Sequence, residues 1–593
     1  MLAPDVGRQH EHPKAAAAAP TNGEYSHRQI LTILSGLLLG MFLAALDQTI
    51  VSTAIRTIAD DLHGLSVQAW VTTAYLITST ITTPIYGKLG DLYGRKKLFI
   101  FAIAVFVLGS AMCSFATSMY ELAAFRAFQG IGAGGLMTLT LAIIGDLVPP
   151  RERAKYTGYF MATFGTSSVL GPVVGGFLAE TNSFLGVTGW RWVFLVNVPI
   201  GILAFFVVSA TLHLPHVRRE ARIDWWGAAA LVVALVPLLT VAEQGRGWGW
   251  TSATSLICFA ITLIGVGAFL WIEHSMGNDA LIPLRIFRLR AASVTIVASV
   301  IVGIGMFGGI TVLPLYMQIV HGASPMTSGL MMLPMVGGLM LAAIISGLIT
   351  AKTGKIRGFP ILGTALATIG LLLLWLNVSA DSSLGLVMVF MFITGFGLGN
   401  CMQPLTLIVQ NAVPPREIGV ATAAATFFRQ TGGTLGVAIF LSILFSTVGD
   451  KIKGALGAAV KADPSLATPA NQKVLGTVAA QVQDDSNILQ HVPANIAHPF
   501  KVGFADSMDL IFLCAAIVMF VGFLVLLLMP PVELRAQSAS AAAASEASAA
   551  GAAVAPQRES VGVTAGGSGR HESDGDNPAD GVDESLPPRH SAD

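Results

Sequence analysis

Long apolar segments constrain this 593-residue chain more than any other feature. Fourteen segments of mainly apolar residues follow one another, most of them joined by short polar connections. A helix needs about 20 apolar residues to cross the hydrocarbon core of a bilayer. The sequence therefore predicts fourteen spanning helices, at residues 30–50, 69–86, 98–116, 122–145, 156–179, 192–212, 223–239, 255–272, 292–318, 326–350, 360–378, 384–409, 419–448 and 510–529.

The composition agrees with lipid as the main solvent. Hydrophobic residues make up 53% and charged residues only 11% of the chain, and the mean hydropathy is +0.69. Soluble proteins carry about 25% charged residues, which cover their surfaces. The formal net charge is zero, so we expect no basic surface for nucleic acid. The four cysteines lie in apolar segments without the spacing of metal ligands, and we expect them to pack rather than bind metal.

The distribution of lysine and arginine predicts the orientation of these helices. Short loops on one side of the predicted bundle carry seventeen such residues, and those on the other side carry only Arg56, Arg191 and Arg246. Cytoplasmic loops of membrane proteins carry the excess of positive charge. Both termini are therefore predicted to be cytoplasmic. Residues 1–28 form an N-terminal tail in this scheme, and the Ala/Ser-rich residues 531–593 form a disordered C-terminal tail.

An internal repeat relates the two ends of the chain. The sequence Val-Pro-Pro-Arg-Glu at 148–152 recurs at 413–417, and glycines at 130, 132 and 134 recur at the same offset of 265. We therefore expect an all-α integral membrane protein with two parallel six-helix halves, residues 29–213 and 291–530. Residues 214–290 insert a central helix pair, and residues of about 449–507 form a long outer loop. Two such halves with a binding site between them are typical of transporters.

The loop at residues 87–97, Gly-Lys-Leu-Gly-Asp-Leu-Tyr-Gly-Arg-Lys-Lys, joins predicted helices 2 and 3. It resembles the helix 2–3 signature of the major facilitator superfamily, in which the acid latches the inner gate against the other half. The resemblance implies gating roles for Asp91, Gly94 and Arg95. The alternative is a basic loop that only anchors the topology. The second copy has Ala351 in place of the acid, so the latch is expected on one side only.

Predicted helix 5 contains the ordered pattern Gly171-Pro172-Val-Val-Gly175-Gly176. Small residues let membrane helices approach closely, and helix packing alone would account for them. The full pattern resembles the signature of the superfamily's proton antiporters, which its facilitators and symporters generally lack. The resemblance implies export rather than uptake.

Asp47 lies within predicted helix 1, in the sequence Leu-Asp-Gln-Thr-Ile-Val. This pattern resembles the helix 1 motif of fourteen-helix drug:proton antiporters and implies proton coupling. A desolvated carboxylate can bind and release protons near neutral pH. The alternative is an aspartate at a helix end that reaches water. Arg126 resembles the family's helix 4 arginine; as a permanent cation it would act by stabilising a nearby carboxylate.

Three further polar residues, Gln129, Gln403 and Arg429, are candidates for the substrate cavity. Hydrogen bonds between helices would explain Gln403 equally well. Arg429 lies too deep in predicted helix 13 to reach the membrane surface, so it lines a cavity or pairs with an acid. That helix contains no acid beside Arg429, which disfavours dicationic substrates and favours neutral, zwitterionic or anionic ones.

Together these resemblances imply a fourteen-helix drug:proton antiporter of the superfamily, a monomer in a bacterial plasma membrane. Its partners would be a small organic substrate, protons and membrane lipid, without nucleic acid. No cofactor is expected, because the proton gradient would supply the energy. A lipid or amphiphile flippase on the same fold is the alternative. A membrane-embedded enzyme is disfavoured, since no catalytic residues or metal ligands stand at the required spacing.

Overall fold

The computed structural model describes residues 26–63, 69–181, 183–184, 186–212, 223–414, 417–481, 488–489 and 491–534. The predicted tails lie almost wholly outside these residues. The described chain is nearly all helical, with one short hairpin that pairs β1 (Ser183–Phe184) with β2 (Val187–Thr188) in antiparallel fashion. Its α-helices are α1 (His27–Asp61), α2 (Ala69–Tyr93), α3 (Arg95–Ser114), α4 (Met119–Leu147), α5 (Pro150–Glu180), α6 (Trp192–Leu195), α7 (Asn197–Thr211), α8 (Trp225–Trp248), α9 (Ala253–Met276), α10 (Arg290–Ile319), α11 (Pro325–Met331), α12 (Leu333–Thr353), α13 (Gly358–Asn377), α14 (Leu384–Ala412), α15 (Ile418–Ala462), α16 (Pro469–Gln481) and α17 (Ala494–Leu527).

Within the described residues, thirteen helical spans are long and apolar enough to cross a membrane. Helix α2 has 25 residues but falls outside that set because a run of threonines lowers its hydropathy. Counting α2 among the spans gives the fourteen that the sequence predicts. The two ends of the described chain agree with an even number of spans. His27 contacts Tyr156 at the start of α5, which follows four spans. The Glu533 carbonyl accepts a hydrogen bond from Asn411 at the end of α14, the twelfth span, so both chain ends lie on the same side of the bundle.

The packing of the helices repeats along the chain. In the first half α1 packs on α5 and α7, while α2 and α3 pack on α4. The second half has the same pattern, with α10 on α15 and α17, and α12 and α13 on α14. Helices of the two halves meet in two corresponding pairs, α2 with α15 and α5 with α12. The sequence repeat therefore appears as a repeated set of helix contacts.

The inserted pair lies beside one of these two seams. Helix α8 contacts both α2 and α15, and α9 packs on the far side of α8. Large apolar side chains such as Leu263, Ile264 and Trp271 stay exposed on α9. Such a surface suits lipid chains, which are as apolar as these side chains themselves.

The segment of about 449–507, predicted to be a long outer loop, is helical over most of its length. Helix α15 continues to Ala462, α16 occupies Pro469–Gln481, and α17 begins at Ala494. Ile452, Val478 and Phe500 are buried in the core of the second half. Beyond the hydrocarbon core a helix needs only one apolar face, so a polar composition does not prevent it from forming.

Candidate functional site

Asp47 lies inside the first half, away from water. Helix α1 continues to Asp61, well past the predicted end at residue 50, because Ala54 and Ile58 pack against Trp190 and Val193. The side chain of Asp47 is fully buried. The alternative of an aspartate at a helix end that reaches water is therefore wrong.

Three buried side chains hold the Asp47 carboxylate. Arg126 Nη1 lies 2.5 Å from Oδ2, and the amide nitrogens of Gln129 and Asn197 each donate to Oδ1 at 2.9 Å. These partners lie 79, 82 and 150 residues away in the sequence, on α4 and α7. Asn197 is the first residue of α7, and Val196, between α6 and α7, keeps helical backbone angles.

Arg126 has further partners that fix its guanidinium group. It lies over the ring of Tyr75 from α2, 4.0 Å from the ring centre, and donates to Gln129 Oε1 at 2.8 Å. An arginine over an aromatic face gains cation–π attraction in a desolvated site. Asp47, Tyr75, Arg126, Gln129 and Asn197 form one cluster, here called the Asp47 cluster, that joins α1, α2, α4 and α7.

The Asp47 cluster differs from the sequence expectation in its membership. Gln129 was expected in the substrate cavity, but it is fully buried and its amide binds Asp47. Tyr75 and Asn197 were not predicted to be functional. The one sequence signal for Asn197 was an amide in an otherwise apolar span, followed by Pro199.

A proton on Asp47 would change the energy of the whole cluster. In an ion pair of carboxylate and guanidinium, the attraction between the two groups offsets part of the cost of removing both charges from water. Protonation would leave the Arg126 cation buried without a counter-charge, and removing one partner of a buried pair costs about 3–5 kcal/mol. Helices α1 and α4 would then gain from a rearrangement that hydrates Arg126.

Asp91 connects the first half to the start of α15. Its Oδ2 atom accepts a hydrogen bond from the backbone nitrogen of Val420 at 2.9 Å. The first N–H groups of a helix have no partner within it, and Glu417, which precedes α15, provides no side-chain cap. Asp91 therefore caps a helix of the other half, where the helix dipole also favours an anion. Gly419 permits this approach, since a Cβ there would collide with the carboxylate.

Gly94 and Arg95 position Asp91. Gly94 is the single residue between α2 and α3, and its φ of +91° favours glycine. Arg95 then lies one turn after Asp91, with Nη2 at 2.9 Å from Oδ1 and Nη1 at 2.8 Å from Asp146 Oδ2. The three residues predicted for gating thus form one latch between the halves; their role in gating stays a prediction.

A second contact between the halves lies at the same end of the bundle and was not predicted. Arg153 of α5 donates to Gln410 Oε1 of α14 at 2.5 Å. The amide nitrogen of Gln410 donates in turn to Thr422 Oγ1 of α15 at 2.8 Å. The latch and this contact hold the two halves together at the end where α2, α4 and α14 terminate.

The four residues of the helix 5 motif have different surroundings. A Cβ on Gly171 would collide with Thr49, and one on Gly175 would lie 2.8 Å from the Ile50 carbonyl oxygen, so both glycines face α1. A Cβ on Gly176 would meet nothing within 4 Å. The Pro172 ring lies 3.0 Å from the Cβ position of Gly329 in α11, across the seam between the halves.

Arg429 and Gln403 lie in the second half, away from the Asp47 cluster. Arg429 follows the start of α15 by three turns and is 9% exposed. Its Nη1 donates to Thr406 Oγ1 of α14 at 3.4 Å. Gln403 is half-buried on the same helix as Thr406. Within the described residues no carboxylate forms an ion pair with Arg429, and its place in a substrate cavity stays a prediction.

Comparison with known proteins identifies the family. The family model of the Major Facilitator Superfamily matches residues 37–437. The chain is 33% identical over 528 residues to the multidrug transporter protein MdtP of Bacillus subtilis, covering 87% of this chain and 96% of that protein. It is 35% identical over 425 residues to multidrug resistance protein 3 of Bacillus subtilis, covering 71% and 81%.

A solved structure supports the fold. The proton:xylose symporter XylE matches with a TM-score of 0.52 at 15% identity, over 88% of this chain and 100% of that chain. Transporters of this fold are not enzymes, which removes the alternative of a membrane-embedded enzyme. With its repeated six-helix halves, its match to the family model and these relatives, the chain belongs to the Major Facilitator Superfamily.

Proposed function

We propose that this protein exports small organic molecules across a bacterial plasma membrane in exchange for protons. Relatives that are named multidrug transporter and efflux pump support export of such molecules. The loop charges favour both termini in the cytoplasm. In that orientation the Asp91 latch lies at the cytoplasmic end, and its contacts hold that end closed.

The buried Asp47–Arg126 pair is the observation that carries proton coupling. It is an ionisable group at membrane depth, and such groups are costly and mark proton or substrate pathways. When Asp47 takes a proton from outside, Arg126 loses its counter-charge and the first half rearranges. Release of the proton to the cytoplasm restores the pair. A monomer with substrate, protons and lipid as its partners suffices for this cycle, and the proton gradient replaces a cofactor.

Dye uptake into inside-out proteoliposomes with an acidic lumen, which corresponds to export from the cell, tests this proposal. We expect Asp47→Asn to abolish gradient-driven export, since the amide cannot take up a proton, while insertion stays normal. Asp60→Asn is the matched control, because Asp60 is an exposed acid on the same helix. Export by Asp47→Asn at the parent rate would exclude Asp47 as the coupling group.

The same vesicles separate export of soluble molecules from lipid transport. A fluorescent phospholipid replaces the dye, and its movement between leaflets is followed by quenching from outside. Substrate-stimulated proton flux with the dye alone would support the exporter. Flux with the phospholipid alone would favour a flippase on this fold.

A further inference from the structure

Arg429 is a buried cation without a counter-charge in the part of the chain that the structure describes. It retains 9% of its exposure, and its one hydrogen bond, to Thr406, is long at 3.4 Å. Arg126, a buried arginine of the first half, makes an ion pair, a cation–π contact and further hydrogen bonds. Arg126 is thus held by a counter-charge and several contacts, whereas Arg429 is held by one long hydrogen bond.

The surroundings of Arg429 are polar but neutral. Gln403 and Thr406 lie one turn apart on the same face of α14. On α15, Thr426 lies one turn before Arg429, and its buried hydroxyl has no hydrogen-bond partner in the structure. The polar side chains at these positions of α14 and α15 are therefore neutral and supply no negative charge to the guanidinium.

This arrangement is costly for a purely structural residue. A buried charge without a partner destabilises a fold, and a residue that breaks this rule is expected at a functional position. A guanidinium offers a planar fork of donors that fits a carboxylate with two parallel hydrogen bonds. An acidic group that enters between α14 and α15 would supply the missing charge.

We infer that Arg429 is the recognition point for an acidic group of the substrate, so that the transported molecules are amphipathic organic acids. This inference rests on the proposed exporter function and names its substrate class. Gln403 and Thr406 supply polar contacts beside the acid. The Asp47 cluster binds the proton in the other half, so the proton and the acidic group of the substrate bind at separate sites.

Binding to the purified protein in nanodiscs tests this without any gradient. Pyrenebutyric acid, pyrenebutyramide and pyrenebutylamine share one aromatic body and carry negative, neutral and positive head groups. We expect the acid to bind tightest, and Arg429→Gln to weaken its binding at least tenfold while amide binding stays within twofold. Arg429→Lys keeps the charge but loses the fork, and should fall between. Arg288→Gln, at an exposed position just before the second half, is the control.

Several results would overturn the inference: equal acid binding by parent and Arg429→Gln, parallel loss of acid and amide, or preference of the parent for the amine. Thermal unfolding in detergent adds a second readout. Arg429→Gln removes a buried unpaired charge, so its melting temperature should equal or exceed that of the parent. A lower melting temperature or failure to fold would assign Arg429 a structural role instead.

Transport in proteoliposomes separates this inference from the exporter proposal. If binding prefers the acid through Arg429 but a pH gradient drives no probe, proton-coupled export fails while the anion site stands. If the gradient drives acid and amide equally well in the parent and in Arg429→Gln, the exporter stands and the anion site fails.

Discussion

The two halves share a scaffold but distribute their charges differently. At the repeat offset of 265, Met391 and Thr394 stand where the first half has Arg126 and Gln129. Conversely, Phe164 stands where the second half has Arg429. The helix contacts correspond pair by pair all the same. The buried arginines Arg126 and Arg429 therefore stand at positions that the repeat does not relate.

The difference shows that packing and chemistry follow separate constraints in this fold. Glycines at 130, 132 and 134 recur at 395, 397 and 399, because close helix contacts need small residues in both copies. The charged residues have no such requirement to recur. A charge needs a partner or a ligand, and each half provides a different one: Asp47 for Arg126, and the proposed substrate acid for Arg429.

Replacing Arg126 by methionine, the residue at the matching position of the second half, should have the largest effect on stability. Arg126→Met leaves the Asp47 carboxylate buried without a cation, so we expect the free energy of unfolding to fall by about 3–5 kcal/mol. Unfolding with SDS, followed by circular dichroism, measures this. The double variant Asp47→Asn/Arg126→Met should recover most of the loss, whereas additive losses would mean that the two residues act independently.

The helix 5 glycines should differ from each other. Gly175→Leu forces α5 away from the Ile50 carbonyl in α1, and overpacking of this kind costs about 1–3 kcal/mol. Gly176→Leu meets open space and should retain dye–proton exchange in proteoliposomes. Equal loss of exchange in both variants would show that the motif acts other than through the contact of α1 with α5.

The latch should give the smallest change in stability and a clear change in conformation. Asp91→Asn weakens the cap of α15, which we expect to cost about 0.5–2 kcal/mol and to favour separation of the halves at this end. Labelling of a cysteine placed on α15 near Val420 measures that separation. Glu152→Gln removes an exposed acid at the same end and is the control. Labelling that stays at the parent rate in Asp91→Asn would leave the loop as a topological anchor.

Much of the fold followed from local sequence patterns. Crossing a bilayer is a property of windows of about 20 residues, so the spans could be recognised one at a time. The extent of the helices was underestimated where α15 and α17 continue through a polar stretch. Hydropathy marks the hydrocarbon core, and a helix that leaves the core carries no such mark.

The candidate sites were predicted residue by residue, but their partners were not. Asp47, Arg126, Asp91 and Arg95 were each identified from motifs along the chain. Nothing in the sequence placed Asn197 beside Asp47, because 150 residues separate them. Gln410, which joins Arg153 to α15, likewise had no motif to mark it.

The sequence by itself therefore determined the membrane class, the approximate number of spans, the repeat and the positions of the charged residues. These depend on composition over short stretches and on direct comparison of two segments. The tertiary structure alone decided which charges are paired. It joined Asp47 to Arg126 and Asp91 to the start of α15, and it left Arg429 with a hydroxyl as its partner. Pairing depends on which helix faces meet, and that is settled only when all the helices pack together.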